Sequence, residues 1–128
     1  MSGKLRAVLD TNAVVSLLAG NHSLSQKLEQ AEYVGISIIT YLEFLAFDGL
    51  ADTDRACFEA FCKRINIESL TIDEEGSLLL QKTLELRSHY RLKLPDAIIG
   101  ATALFRNALL ITNDTHFSTI PALTIEAC

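Results

Sequence analysis

Short apolar segments alternate with longer amphipathic segments along the whole chain, and this alternation most constrains the fold. The short segments are typical of buried strands, and the longer ones are typical of helices. Repeated strand–helix–strand units predict right-handed crossovers and an α/β fold, with a mainly parallel sheet covered by helices on both faces. A chain of 128 residues suits one core, so we predict a single domain over residues 1–128.

The pattern also predicts the individual elements. Strands are expected at residues 5–9, 34–38, 65–70, 108–112 and 123–125. Helices are expected at residues 11–19, 24–31, 40–50, 53–64 and 73–90, with a further helix that starts at Leu94-Pro95-Asp96. Pro95 suits a first turn, because its missing N–H would have no partner there. The core-facing residues of the 73–90 helix are expected to be Leu78, Leu79, Leu84 and Leu86.

Four acidic residues are each the only formally charged residue of a long apolar stretch. They are Asp10 in residues 7–26, Glu43 in 33–47, Asp96 in 94–105 and Asp114 in 107–125. An unpaired carboxylate beside a core is costly unless a cation meets it. Carboxylates about 4 Å apart repel by roughly 4 kcal/mol at an effective dielectric of about 20. One shared metal ion is therefore the simplest explanation for all four.

Each of these acids also has a structural alternative. Asp10 and Asp114 follow predicted strands, where either carboxylate would serve as a helix cap. The helix dipole would stabilise Asp96 in a first turn. Glu43 lies in a helix that is apolar nearly all round, so we expect it to be buried, and the alternative is a partly exposed first or second turn. Ligands of parallel sheets bind at the carboxyl ends of strands, which is where Asp10 and Asp114 are placed.

The ligand types indicate which metal to expect. Carboxylate oxygens alone select Mg²⁺ or Mn²⁺ over zinc. Around them, we expect Asn12 and Thr112 to supply hydrogen bonds, with Thr11 and Asn113 as further candidates. The chain contains no GxG, no P-loop and no nucleophile elbow, so its motifs do not support nucleotide-cofactor or serine-hydrolase chemistry.

Composition adds weaker limits. The net charge of −5 opposes nucleic-acid binding in general, but divalent ions bound by the lone acids would make the site locally positive. The apolar runs are too short for a membrane span, and Asp10 interrupts the apolar start, so we expect a cytoplasmic protein without membrane contact. The three cysteines, Cys57, Cys62 and Cys128, form no CxxC pair and are expected to be free.

Basic residues lie just before Asp96 and are candidates for substrate contact. They are Arg87, His89, Arg91 and Lys93. His116, two residues after Asp114, is a further candidate. The alternative for the basic cluster is a solvated helix end, where cations complement the helix dipole.

Four motifs together resemble the PIN-domain ribonucleases, especially the VapC-type toxins of toxin–antitoxin pairs. The motifs are Asp10-Thr11-Asn12 after the first strand, Ser37-x-Ile39-Thr40-x-x-Glu43, Leu94-Pro95-Asp96-Ala97-Ile98-Ile99-x-Ala101-x-Ala103, and Leu110-Ile111-Thr112-Asn113-Asp114-x-x-Phe117. The resemblance runs from about Leu5 to the end of the sequence. Some members carry a further acidic residue shortly after the last motif aspartate, where this chain has Thr115-His116-Phe117.

The resemblance implies an αβα sandwich around a parallel sheet of about five strands. It also implies that Asp10, Glu43, Asp96 and Asp114 form an Mg²⁺ or Mn²⁺ site, with Asn12 and Thr112 nearby. The expected activity is metal-dependent hydrolysis of RNA phosphodiester bonds. The expected partners are an RNA substrate, a cognate antitoxin and a second copy of the chain in a homodimer.

Two readings from other classes stay open at this stage. The first is a catalytically silent PIN-like module that binds RNA or a partner without turnover. The second is a phosphoacceptor receiver, which also gathers aspartates at strand ends. A receiver needs a lysine on its last strand, and no lysine follows Lys93 in this chain. A cleavage assay separates the first reading from a nuclease, and a small phosphodonor tests the second.

Overall fold

The computed structural model describes residues 4–128, except for the Glu75 side chain. Its strands are β1 (Arg6–Leu9), β2 (Tyr33–Ser37), β3 (Asn66–Glu68), β4 (Leu109–Ile111) and β5 (Ile125–Glu126). Its helices are α1 (Thr11–Leu18), α2 (His22–Glu29), α3 (Ile38–Leu45), α4 (Asp52–Cys62), α5 (Glu74–Tyr90) and α6 (Leu94–Phe105). A short 3-10 helix covers Thr115–Thr119.

The five strands form one sheet in the order β3-β2-β1-β4-β5, and every neighbouring pair is parallel. The predicted α/β fold with a parallel sheet of about five strands is therefore confirmed. From β1 the chain moves outward to β3 and then returns to the other side of β1 through β4. The strand order thus reverses between β1 and β4, and such a reversal opens a crevice at the carboxyl ends of the two strands.

Helices cover both faces of the sheet because successive side chains of each strand point to opposite faces. Ala7 and Leu9 of β1 pack in one core with residues of α1, α2, α3 and α4. Val8, between them, packs in a second core with residues of α5, α6 and the 3-10 helix. Phe58 of α4 is fully buried in the first core and stacks on Phe44 with ring centroids 4.1 Å apart.

Several predicted details were wrong. Leu78 and Leu84 of α5 are exposed, and only Leu79 and Leu86 of the four predicted leucines enter the core. The helix predicted from residue 24 begins at His22, because the Asn21 side chain caps it by accepting a hydrogen bond from the Leu24 N–H. The helix predicted to reach residue 50 ends at Leu45. None of the helices within residues 4–128 is long and apolar enough to cross a membrane.

A polar network fastens three strands to the end of α6. The Glu68 carboxylate accepts two hydrogen bonds from the Arg106 guanidinium, both of 2.8 Å, and a further hydrogen bond from the Tyr33 hydroxyl. The Arg6 guanidinium donates to the Arg106 carbonyl oxygen at 2.8 and 3.1 Å. Gly35 leaves room for this arrangement, because a Cβ atom at that position would collide with the Tyr33 side chain.

Candidate functional site

Asp10 and Asp114 lie at the crevice where the strand order reverses. Asp10 directly follows β1, and Asp114 follows β4 after two intervening residues. Leu9 pairs with Ile111, and the Asp10 N–H extends the ladder by donating to the Ile111 carbonyl oxygen at 3.2 Å. The prediction that both acids lie at strand ends of one sheet edge is confirmed.

The Asp10 carboxylate is buried and fixed by two hydrogen bonds. One oxygen accepts from the Ala13 N–H at 2.8 Å, so Asp10 is also the cap of α1. The other oxygen accepts from the Thr112 hydroxyl. Burial raises the pKa of Asp10, and the negative charges of Asp114 and Glu43 raise it further, although the two hydrogen bonds act in the opposite direction.

Asp114 caps the 3-10 helix and contacts His116 twice. Its Oδ1 accepts hydrogen bonds from the His116 backbone N–H at 2.9 Å and lies 3.0 Å from the His116 Nδ1. The Asp114 N–H donates to the Thr112 hydroxyl oxygen at 3.0 Å. Thr112 therefore connects Asp10 with Asp114. Both aspartates are therefore helix caps, as the structural alternative predicted. Capping is compatible with a shared site, because both residues also contact Thr112.

Asp96 lies in the first turn of α6, whose start reaches the same edge of the sheet. Burial raises the pKa of Asp96, and the nearby negative charge of Asp114 is the next largest cause. His116 and Lys93 lower this pKa, whereas Glu43 raises it. The carboxylate is thus close enough to Asp114, Glu43 and His116 for their charges to act on it.

The side chain of Glu43 is exposed, so the expectation of burial was wrong and the alternative of an exposed turn of the helix holds. It lies on α3 and accepts a hydrogen bond of 2.5 Å from the Thr11 hydroxyl. Thr11 also lies 3.5 Å from the hydroxyl of Thr40, which is fully buried. A hydroxyl that donates to a carboxylate makes a short, strong hydrogen bond. This bond fixes an otherwise mobile side chain beside the end of β1.

We call Asp10, Glu43, Asp96 and Asp114 the acidic cluster. The charges of Asp114 and Glu43 act on both Asp10 and Asp96, and burial disfavours the ionised form of Asp10 and Asp96. Concentrated negative charge with only oxygen donors from these four residues fits a hard divalent cation. Among the described residues, Asp96, Asp114 and His116 each place one ligand atom within 4.8 Å of the others.

The other predicted site residues lie around this cluster. Asn12 is exposed in the first turn of α1. The Arg87 guanidinium donates one hydrogen bond to the Leu92 carbonyl oxygen at 3.2 Å, just beyond the end of α5. Arg91 is exposed and adopts a left-handed conformation with φ of 54°. Lys93 is exposed and directly precedes α6.

Sequence reasoning missed one neighbour of the cluster. The side chain of Asn113 accepts a hydrogen bond from the Cys128 N–H at 3.0 Å and donates to the Cys128 carbonyl oxygen at 3.4 Å. These bonds hold Cys128 near Asp10. Burial raises the pKa of the Cys128 thiol, and the negative charge of Asp10 raises it further. No sequence signal indicates this contact. Cys57, Cys62 and Cys128 are all free, as predicted.

An apolar groove lies apart from the acidic cluster. It has a volume of about 420 Å³ and opens to solvent between α1, α2 and α4. Its apolar lining includes Leu17, Leu18, Leu28, Phe61 and Ile65. None of the four acids lines it. The acidic cluster is instead spread along the open carboxyl edge of the sheet.

The chain is similar to known proteins in both sequence and fold. The family model of the PIN domain matches residues 7–123. A chain of a toxin–antitoxin complex from Klebsiella pneumoniae is 32% identical with a TM-score of 0.73, over 92% of this chain and 95% of that one. DNA-bound VapBC from Salmonella typhimurium gives 25% identity and a TM-score of 0.74, over 96% and 98%. A chain of VapBC2 from Rickettsia felis, bound to a promoter DNA fragment, has 22% identity and a TM-score of 0.75, over 97% of this chain and 99% of that one. No curated protein sequence matches.

Proposed function

Since the chain belongs to the PIN-domain family, we propose that it is a divalent-metal-dependent endoribonuclease and the toxin of a toxin–antitoxin pair. The observation that supports this proposal is that the charges of Asp114 and Glu43 act on both Asp10 and Asp96 near the switch point between β1 and β4. We place its action in the cytoplasm, on an RNA substrate, and we assign residues 1–128 to one PIN domain.

In this proposal Asp10, Asp96 and Asp114 are the principal metal ligands, and Glu43 is a ligand or a base that orients water. When bound, Mg²⁺ or Mn²⁺ would supply positive charge and would lower the pKa of a water molecule for attack on the phosphodiester. Thr112 supports the site by fixing Asp10 and the Asp114 backbone, and Thr11 supports it by holding Glu43. Asn12 is a candidate for a supporting hydrogen bond to these ligands because of its position in the first turn of α1.

The direct test is a cleavage assay with purified protein and single-stranded RNA. We expect cleavage with Mg²⁺ or Mn²⁺ and none with excess EDTA, because the four carboxylates offer no substitute for the missing positive charge. Restoring Mn²⁺ after EDTA should restore cleavage. Cleavage that persists in EDTA would contradict metal dependence, and RNA binding without cleavage under all conditions would support the silent binding module.

We propose that Arg91 and Lys93 attract the RNA backbone, with Arg87 and His116 as further contacts. Both Arg91 and Lys93 are exposed, and the charge of Lys93 reaches Asp96. Phosphate contacts of this kind act without regard to base sequence and weaken as salt rises. These basic side chains would thus offset the negative charge that an RNA strand meets near the acidic cluster.

The double variant Arg91→Glu/Lys93→Glu is expected to weaken RNA binding and to reduce its salt dependence. Each lost phosphate contact should lower the slope of log K against log salt by about 0.7 for a single strand. Binding is measured by fluorescence anisotropy with EDTA present, so that no divalent ion contributes. Lys82→Glu on α5 is the control, because Lys82 pairs with Glu85 at the surface. An equal loss of RNA affinity in both variants would contradict a specific contact. It would favour the alternative that these basic residues are a solvated helix end.

We propose that an antitoxin covers apolar surface on α1 and α3 and that the protein is a homodimer. Val15 of α1 is 49% exposed, Leu42 of α3 is 54% exposed, and Phe47 just beyond α3 is 70% exposed. Val15 and Leu42 belong to helices of mostly apolar composition, and Phe47 follows the second of them. Large exposed apolar side chains are typical of protein interfaces.

A further inference from the structure

His116 stands out among the residues at the acidic cluster because it offers nitrogen where every other candidate ligand offers oxygen. It lies on the 3-10 helix that Asp114 caps, two residues along the chain. One ligand atom each of His116, Asp96 and Asp114 lie within 4.8 Å of one another. The spacing of Asp114 and His116 was visible in the sequence, but it predicted a substrate contact there.

The position of the His116 ring is not explained by packing, since 73% of the side chain is exposed. The ring is instead held against the protein through its polar edge. Asp114 Oδ1 lies 3.0 Å from the His116 Nδ1 and also accepts the His116 backbone N–H at 2.9 Å. A carboxylate this close to a ring nitrogen orients the imidazole, and histidines that bind metals are commonly oriented by a neighbouring carboxylate.

The contacts of Asp114 are compatible with a shared ligand role. Both contacts of His116 with Asp114 involve Oδ1, which accepts a hydrogen bond from the His116 backbone N–H and lies 3.0 Å from Nδ1. Its other oxygen accepts no hydrogen bond from the described residues and stays available as a ligand. Asp96, the third member of the group, also accepts no side-chain hydrogen bond within the described part of the chain. Charge from His116 acts on Asp96 as well.

We infer that His116 is a nitrogen ligand of the divalent ion held by Asp96 and Asp114, and that this mixed site selects Mn²⁺ over Mg²⁺. The inference rests on the proposed function, which supplies the ion. Mg²⁺ strongly prefers oxygen ligands, whereas imidazole suits first-row transition metals. The expectation of a site built from oxygen alone is thereby revised for this chain.

The test is the direct detection of nitrogen beside bound Mn²⁺. Electron spin echo envelope modulation of the Mn²⁺-loaded protein should show a ¹⁴N coupling that disappears in His116→Ala and His116→Gln. The control His22→Ala should retain the coupling, because His22 lies at the start of α2. In titrations followed by calorimetry, His116→Ala should weaken Mn²⁺ binding by at least about tenfold and leave Mg²⁺ binding nearly unchanged. His116→Asp should lower the preference for Mn²⁺ by restoring an oxygen ligand.

The outcomes separate this inference from the proposed function. If the wild-type protein binds no Mn²⁺, or if Asp96→Asn binds it equally well, the metal site itself is wrong. If the wild-type protein binds Mn²⁺ through Asp96 but His116→Ala keeps both the ¹⁴N coupling and the affinity, only the role of His116 is wrong. Weaker RNA binding by His116→Ala in EDTA, with Mn²⁺ binding unchanged, would make His116 a substrate contact instead. Circular dichroism checks that each variant is folded.

Discussion

Replacing Asp96 with Asn is expected to reduce metal-dependent RNA cleavage by at least about 100-fold, the scale of losing one preorganised charge-stabilising group. The same change should raise the melting temperature of the metal-free protein. Burial and the charge of Asp114 raise the pKa of Asp96, so the ionised carboxylate destabilises the folded state at neutral pH. The asparagine amide has nearly the same shape as the Asp96 carboxylate but carries no charge, so the substitution removes this destabilisation. This gain should shrink as the pH falls from the raised pKa of the folded state toward the ordinary aspartate pKa of 3.8, and it should vanish below 3.8, because the wild-type carboxyl is then protonated in both states.

Asp73→Asn is a control of opposite sign. Asp73 caps α5 by accepting hydrogen bonds from the Gly76 N–H at 2.6 Å and the Thr71 hydroxyl at 3.0 Å, and these bonds lower the pKa of Asp73. Its replacement should leave cleavage unchanged and lower the melting temperature. Both properties are measured on the same preparations, with melting followed in EDTA. Full cleavage by Asp96→Asn would refute its assignment as a ligand.

Replacing Glu68 with Ala is expected to lower the free energy of unfolding by about 3 kcal/mol, the lower end of the range for breaking a buried ion pair. The Glu68 side chain is 11% exposed and accepts hydrogen bonds from both Arg106 and Tyr33. Its loss leaves a guanidinium and a hydroxyl without this partner between β2, β3 and the end of α6. The lower end of the range applies because Arg106 keeps a third of its side chain exposed.

Glu85→Ala provides the matched comparison, since Glu85 forms an exposed ion pair with Lys82 at 3.3 Å. An exposed pair of this kind contributes at most about 1 kcal/mol, so this variant should remain close to the wild-type protein. Urea denaturation followed by circular dichroism measures both. Equal destabilisation by the two substitutions would contradict the structural importance given to the Glu68 network.

The sequence was informative where a local pattern decides the structure. Strand-like segments followed by Asp10 and Asp114 predicted acids at the sheet edge, because parallel strands end on the same side. Asp73 and Pro95 marked two helix starts correctly. The motifs also led to the family, and that resemblance is confirmed by the match over residues 7–123.

The sequence was misleading where distant packing decides the structure. Glu43 lies among apolar residues, but the packed side of α3 carries Thr40 and Phe44, so Glu43 faces outward. Leu84 is exposed although α5 is rich in leucine, because one face of that helix meets the core. The Thr11–Glu43 hydrogen bond joins α1 to α3 across 32 positions, and no local pattern contains it.

The central position of β1 bears on how the protein matures. Ala7, near the beginning of the polypeptide, pairs with Leu109, and Asp10 has no Asp114 beside it until that late strand has been synthesised. Contacts between such remote segments form slowly, since a long loop must close first. A nascent chain on the ribosome therefore carries three members of the acidic cluster in unassembled form. Premature termination before β4 would yield a product without the catalytic centre we propose.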